Sequence, residues 1–206
     1  MTRTKLPLPE GLDGLRTADV RSPIGTFRVG YDGRKVAYID LMERGMERSG
    51  PSDVDRVERR GFPRGSPPEQ LREYFDGERT SFDVELAFVS GSAFDRKVWF
   101  GLNQIPFGSF RSYGEVARRI GQPRAARAVG GAAHRNPIPI IVPCHRLVGQ
   151  DRSLTGFGLG LWRKQWLLRH EGTYPLPTKD GAAPRRQGRQ STLEESLSER
   201  RRSRSS

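Results

Sequence analysis

The sequence predicts an α/β protein in two parts: a small N-terminal unit of sheet plus helix, then a mostly helical C-terminal unit. Three observations lead there. Alternating apolar residues run through Thr17–Leu41 and again through Phe82–Val89, the period of strands. From Ser92 onward the period becomes that of helices, with Gly and Pro marking the breaks. Beyond Gly172 the chain turns to Pro, Gly, Ser, Gln and Arg and no periodicity remains. The expected divisions are a flexible start over 1–16, an α/β domain over 17–88, a second domain over 92–172 and a disordered basic tail over 173–206.

Each element has its own local reason. Gly25–Tyr31 and Val36–Leu41 alternate on either side of Asp32-Gly33, whose turn chemistry makes them a hairpin. Residues 43–67 are polar and broken by Gly50-Pro51 and Gly61-Phe62-Pro63, as in a loop or a short helix. Pro67–Phe75 is a helix with Pro in its first turn, and Phe82–Val89 is a further strand. Phe94, Val98, Trp99, Leu102 and Ile105 share one helical face, and Pro106 ends that helix. Ser112 and Glu115 have capping-box spacing ahead of Val116, Ala117 and Ile120. Gly121 stops this helix, and Pro123 starts another over Arg124–Ala133. Two short helices joined by a tight turn of this kind read as a helix-turn-helix. Leu161–Glu171 is the last helix, closed by Gly172.

Hydrophobic residues make up 34% of the 206 and charged residues 29%, so the core must be compact. No stretch approaches the roughly 20 apolar residues of a membrane span, and the N-terminus lacks the apolar segment of a secretory signal. A soluble intracellular protein is expected. The net charge is +12, and the segment after Gly172 has eight Lys or Arg against four Asp or Glu, which leaves +8 on the rest. An excess of cations on the folded part points first to nucleic acid, with DNA, RNA and anionic membrane not separated by composition alone.

The single cysteine, Cys144, excludes an internal disulfide and a Cys-rich zinc site. It lies in Asn136–Arg146, where prolines flank an apolar run, so the backbone is expected to be rigid and extended. His145 follows directly. A thiol reacts as its thiolate, whose fraction rises beside a base or cation, and on an extended chain a water would bridge the two side chains. The helix Ala125–Ala133 presents mostly Ala and Gly, with Arg124 and Arg127. It suits either close approach to a partner surface or tight packing inside the domain.

Pro143-Cys144-His145-Arg146 stands between Asn136-Pro137-Ile138-Pro139 and Leu154-Thr155-Gly156-Phe157-Gly158, with Trp166–Gly172 beyond. Together with Gly77–Asp83, Val98-Trp99, Ile105–Gly108, Ser112–Ala117 and Arg124–Gly130, this resembles the O6-alkylguanine-DNA alkyltransferase family, collinearly from about Thr17 to Gly172. The resemblance implies a ribonuclease H-like N-terminal domain and a winged helix-turn-helix C-terminal domain. It implies direct reversal of damage: after base flipping, Cys144 takes the alkyl group from O6-alkylguanine, or O4-alkylthymine, once and irreversibly. His145 would take the thiol proton through a water, with Glu171 orienting it. Tyr113 would hydrogen-bond the guanine, and Arg127 would fill the gap in the stack. Asn136 would hold the turn before the cysteine, and Arg146 would be structural. Ser112, Tyr113, Arg124, Ala125, Ala126, Arg127, Ala128 and Arg135 would meet double-stranded DNA in its minor groove. Pro139, Leu147, Phe157, Gly158 and Leu159 would line the substrate pocket, with backbone groups at Cys144, Leu147 and Gly158 reading the base edge. No cofactor or metal is implied. The protein would act as a monomer in the cytoplasm with the nucleoid, or in the nucleus of a eukaryotic host.

Two departures accompany the resemblance. Leu159 interrupts a glycine-rich run and would restrict bulky adducts while admitting methyl. His134 is an unexpected residue, suited to a phosphate or to solvent, and His170 suits a helix end. Three other readings compete: a non-catalytic lesion binder, which would lack the acceptor cysteine; a transcription regulator, which would need base-reading side chains on its helix; and a Cys-His hydrolase, which would need an oxyanion hole.

Overall fold

The computed structural model describes residues 14–42 and 61–175, and the strand Val57–Glu58. The start and the tail, apart from the residues bordering them, and most of 43–67 lie outside the described residues. Strands β1 (Arg16–Ser22), β2 (Gly25–Asp32) and β3 (Lys35–Leu41) form an antiparallel meander. The expected hairpin forms, but its two turn residues are Gly33 and Arg34 rather than Asp32 and Gly33, with Asp32 paired to Lys35 and Gly33 at φ +56 supplying the left-handed conformation. Alternation buries Ala18 and Val20, then Phe27 and Val29, on the sheet. Gly30 is required by close approach, because a Cβ there would lie 2.1 Å from the ring of Tyr38.

Helix α1 (Pro67–Phe75) packs on β1 and β2, with Phe75 stacked on Phe27 at 5.6 Å. Two short strands complete the sheet in the order β4-β1-β2-β3-β5: β4 (Val57–Glu58) parallel to β1, and β5 (Glu85–Leu86) parallel to β3. The eight-residue strand expected over Phe82–Val89 is therefore reduced to two residues. Beyond Ala87 the edge of β3 is used differently: Ile39 N–H donates to the Pro137 carbonyl at 2.8 Å. The sheet thus holds the segment that precedes the cysteine.

In the second part, α2 (Ala93–Asn103) starts on a capping box made by Ser92 and Asp95, and α3 (Tyr113–Arg119) on one made by Ser112 and Glu115. Each N-cap is worth about 1 kcal/mol. Ile105 is buried as expected but lies past the end of α2. Helix α4 (Ala126–His134) begins two residues later than Arg124, with Ala125 as an N-cap that offers no side-chain acceptor. Trp99, fully buried on α2, donates its indole N–H to the Ala132 carbonyl at 2.8 Å and fixes α2 against α4. Strands β6 (Arg111–Ser112) and β7 (Leu147–Val148) form a parallel pair. Helix α5 (Leu161–His170) ends at Gly172, at φ +73. One hydrophobic core runs without interruption from Ala18 on the sheet to Leu167 on α5. Among the described residues no helix is long and apolar enough to cross a membrane.

Candidate active site

The segment carrying the cysteine is bent rather than extended. Asn136 Oδ1 accepts from Ile138 N–H at 3.0 Å, and Val142 N–H donates to the Ile138 carbonyl at 2.9 Å. These bonds close a turn in which Ile140, fully buried, takes φ +75. A β-branched residue in that region costs roughly 1–3 kcal/mol, so the surrounding packing must impose it. A 3-10 turn over Cys144–Arg146 follows. Asn136 ties the two together, its amide donating to the Val142 carbonyl at 2.8 Å and to Cys144 Sγ at 3.2 Å.

His145 is fully buried, and its Nε2 lies 2.8 Å from Glu171 Oε1. An ionised carboxylate only accepts, so Nε2 carries the hydrogen and Nδ1 is the basic nitrogen. Nδ1 is buried with no hydrogen-bond partner among the described protein groups. Arg146 donates Nε to Glu171 Oε2 and Nη2 to Oε1, both at 2.9 Å, and Nη1 to the Ile105 carbonyl. Burial opposes a charge on Glu171, but the contacts with His145 and Arg146 outweigh it and hold the carboxyl down at about 2. Burial lowers the proton affinity of His145, which is therefore neutral at neutral pH, and raises that of the Cys144 thiol. The amide of Asn136 and the ammonium of Lys164 oppose the rise on Cys144.

Lys164 is a buried cation that the sequence reading passed over. Its Nζ donates to the Thr155 carbonyl at 2.6 Å and the Gly156 carbonyl at 3.3 Å, and burial brings its ammonium down to about 8. A signal was present: the buried stripe of α5 runs through Arg163, Lys164, Leu167 and Leu168, so two cations share the apolar face. Tyr74 was also missed; its hydroxyl donates to Glu171 Oε1 at 2.7 Å from 97 positions away.

A cleft of about 390 Å³ opens onto Cys144. Pro139, Phe157, Gly158 and Leu159 line it as expected, and Asn136 does too. The model for the 6-O-methylguanine DNA methyltransferase DNA-binding domain matches residues 93–173. The methylated-DNA–protein-cysteine methyltransferase of Mycolicibacterium paratuberculosis is 58% identical over 154 residues, 74% of this chain and 88% of that protein. The one from Methanosarcina acetivorans is 45% identical over 152 residues, 74% of this chain and 95% of its own length. The chain belongs to the methylated-DNA–protein-cysteine methyltransferase family. Among solved structures, that of Mycobacterium tuberculosis OGT in complex with DNA is similar, with a TM-score of 0.64 and 39% identity, covering 77% of this chain and 93% of that one.

Within this methyltransferase scaffold the remaining expected residues divide. Cys144, His145, Asn136 and Glu171 come together as described. Tyr113, half-buried at the start of α3, donates its hydroxyl to the Thr155 carbonyl at 3.2 Å, beside the loop that continues to Phe157. Arg124, Arg127 and Ala128 are exposed, with Ala125 and Ala126 half-buried beside them. Ser112 is buried and occupied as the cap of α3, and Arg135 pairs with Asp95 at 2.6 Å. Leu147 does not reach the cleft; it is fully buried in β7, paired with Arg111. Ile39, Asp40 and Leu41 of β3 reach the cleft instead, a contribution from the N-terminal half that its alternating pattern could not reveal. His134, exposed, also lines it. His170 caps the end of α1, its Nε2 donating to the Tyr74 carbonyl at 2.6 Å. Among the described residues no cluster of His, Cys, Asp and Glu could hold a metal ion.

Proposed function

We propose that this protein repairs alkylated DNA by moving the alkyl group of O6-alkylguanine, or of O4-alkylthymine, onto Cys144. The observation that carries this reading is the buried, hydrogen-bonded set His145–Glu171–Arg146 directly after Cys144, which lines a cleft in a chain of this family. At rest the thiol is protonated and His145 neutral, since burial disfavours both charges. A water joins Sγ to Nδ1 and carries the proton to His145, and Glu171 stabilises the imidazolium. The thiolate attacks the alkyl carbon, an S–C bond forms as the C–O bond breaks, and the electron pair leaves on O6. Tyr113 donates toward the leaving base. The thioether is stable, so one chain repairs one lesion.

We read α3 and α4, joined through Gly121 and Pro123, as the helix-turn-helix of a winged domain that lies in the minor groove. Three antiparallel strands with β4 parallel to β1 support a ribonuclease H-like N-terminal unit. Arg127, exposed on α4, enters the stack where the damaged nucleotide leaves it. A helix of small residues reads shape, and minor-groove recognition carries little sequence information, as a repair protein requires. Leu159 on the wall of the cleft favours methyl over bulky groups. The protein works as a monomer wherever its DNA lies, in the cytoplasm with the nucleoid or in the nucleus.

Intact-mass spectrometry after incubation with a duplex bearing one O6-methylguanine tests the reading. The expected result is one added methyl per chain, mapped to Cys144 and absent in Cys144→Ala. Tight binding to the lesion without a mass gain would make this a damage-recognition protein instead.

A further inference from the structure

Tyr74 sits on α1, in the half of the chain that the sequence left without chemistry. It is fully buried among aromatic rings: Phe75 at 5.5 Å, Phe82 at 5.4 Å, Phe107 at 6.2 Å and His170 at 5.1 Å. A phenylalanine would fill such a nest without the cost of burying a hydroxyl, so the hydroxyl must have a partner. That partner is Glu171 Oε1, at 2.7 Å. The main chain at Tyr74 is held as well, since His170 donates to the Tyr74 carbonyl while stacking on Trp166 at 4.9 Å. Tyr74 therefore has little freedom to turn its hydroxyl away.

The consequence lies in how Oε1 is shared. It receives three donors: Tyr74 Oη at 2.7 Å, His145 Nε2 at 2.8 Å and Arg146 Nη2 at 2.9 Å. One carboxylate oxygen offers about two lone-pair sites, so the three donors compete for one charge. We infer that Tyr74 is a positioning residue of the proton relay: by taking part of the charge on Glu171 Oε1, it limits how firmly Glu171 holds a proton on His145. This rests on the alkyl-transfer reading above and adds to it a control exerted from the N-terminal half. A relay base that binds its proton too firmly is already protonated, and useless as a base, at moderately acid pH.

The charged groups acting on the imidazole are Glu171 at the end of α5, Arg146 on its own turn and Lys164 on α5, and Cys144 precedes it on that turn. Tyr74 reaches it from α1 through Glu171. Past the end of α2 the Ile105 carbonyl holds Arg146, while Asp95 of α2 faces Arg135 and Arg96 and Lys97 are exposed. Of these, Tyr74 is the neutral donor that can be removed without deleting a charge.

The test is the pH dependence of single-turnover methyl transfer from an O6-methylguanine duplex, comparing the full chain with Tyr74→Phe. Without the hydroxyl, Oε1 interacts more strongly with the imidazolium. The acid limb of the profile, where His145 protonates, should then move to higher pH by about half a unit or more. Replacing Tyr74 with 3,5-difluorotyrosine, of nearly the same size but a stronger donor, should move the limb to lower pH and covers the case in which Tyr74→Phe fails to fold. A purely structural role would lower the rate or stability at every pH and leave the limb in place, and that outcome, or shifts of the opposite sign, would overturn the inference. Absence of transfer by the unmodified chain at any pH would instead sink the alkyl-transfer reading.

Discussion

Glu171 is ionised in a place where burial alone would neutralise it, and the reason is its contacts with His145 and Arg146. With His145 neutral, the guanidinium is the permanent countercharge, bound through two parallel hydrogen bonds at 2.9 Å. Glu171→Gln keeps the shape but leaves Arg146 buried and unpaired. At pH 7 the variant should lose about 3–5 kcal/mol in urea unfolding, the usual cost of breaking a buried pair. Its transfer rate should fall by about 100-fold or more, the scale of a lost proton-transfer partner. The sign of the pH dependence follows from the lowered carboxyl value of about 2, against 4.5 ordinarily. The stability from Glu171 is fully present above the ordinary value and disappears as pH falls toward 2. The gap between the two proteins should therefore narrow in acid; an equal gap at pH 7 and pH 3 would show that the pair is not what Glu171 contributes.

At the scale of elements, α4 separates residues that the sequence could only group. Starting at Ala126, it leaves Arg124 outside the helix and sets Arg127 on its exposed face, while Val129 and Ala132 face the core. Packing inside the domain is thus realised on one side of the helix, and the opposite side is left exposed. If Arg127 fills the stack, Arg127→Ala should slow methyl transfer from duplex DNA by about 10-fold or more, because the extruded base loses its substitute. Transfer from a free O6-alkylated base should hardly change, and an equal loss on both substrates would count against the role. The capping box at Ser112, the hairpin turn and the apolar stripes were legible because each is decided within a few residues. The two-residue β5 and the bent cysteine segment were not. Their form depends on the edge of β3, which gives its Ile39 N–H to Pro137, and on an Asn136 side chain with bonds on both sides of the turn. Lys164 lay in plain view on a buried stripe, but its partners are carbonyls of a loop with no pattern of its own. Tyr74 could not be found at all, since nothing local links it to Glu171.

At the scale of the molecule, residues 17–172 read as two domains, and the described residues among them share one core. The cysteine segment hangs from β3 by a backbone bond, the relay carboxylate accepts from α1, and Arg163 on α5 donates to the Ile24 carbonyl at the first hairpin turn, 2.8 Å away. These are the bonds of a shared interior, and the core cluster spans both parts. An N-terminal unit that merely sat beside its neighbour could unfold alone, as loosely joined domains do. Here, unfolding the sheet would expose the apolar side of Ile138–Val142, leave Glu171 and Pro137 short of partners, and so drag the active site with it. The two parts should unfold in a single transition. Fluorescence from Trp99, Trp162 and Trp166 follows the second part, and amide hydrogen exchange at Ala18, Val29 and Ile39 follows the first. The opening free energies of those sheet amides should match those of α2 to within about 1 kcal/mol. Sheet amides that open several kcal/mol more easily than α2 would mean that the N-terminal part is a separable brace, and that the proton relay survives without it.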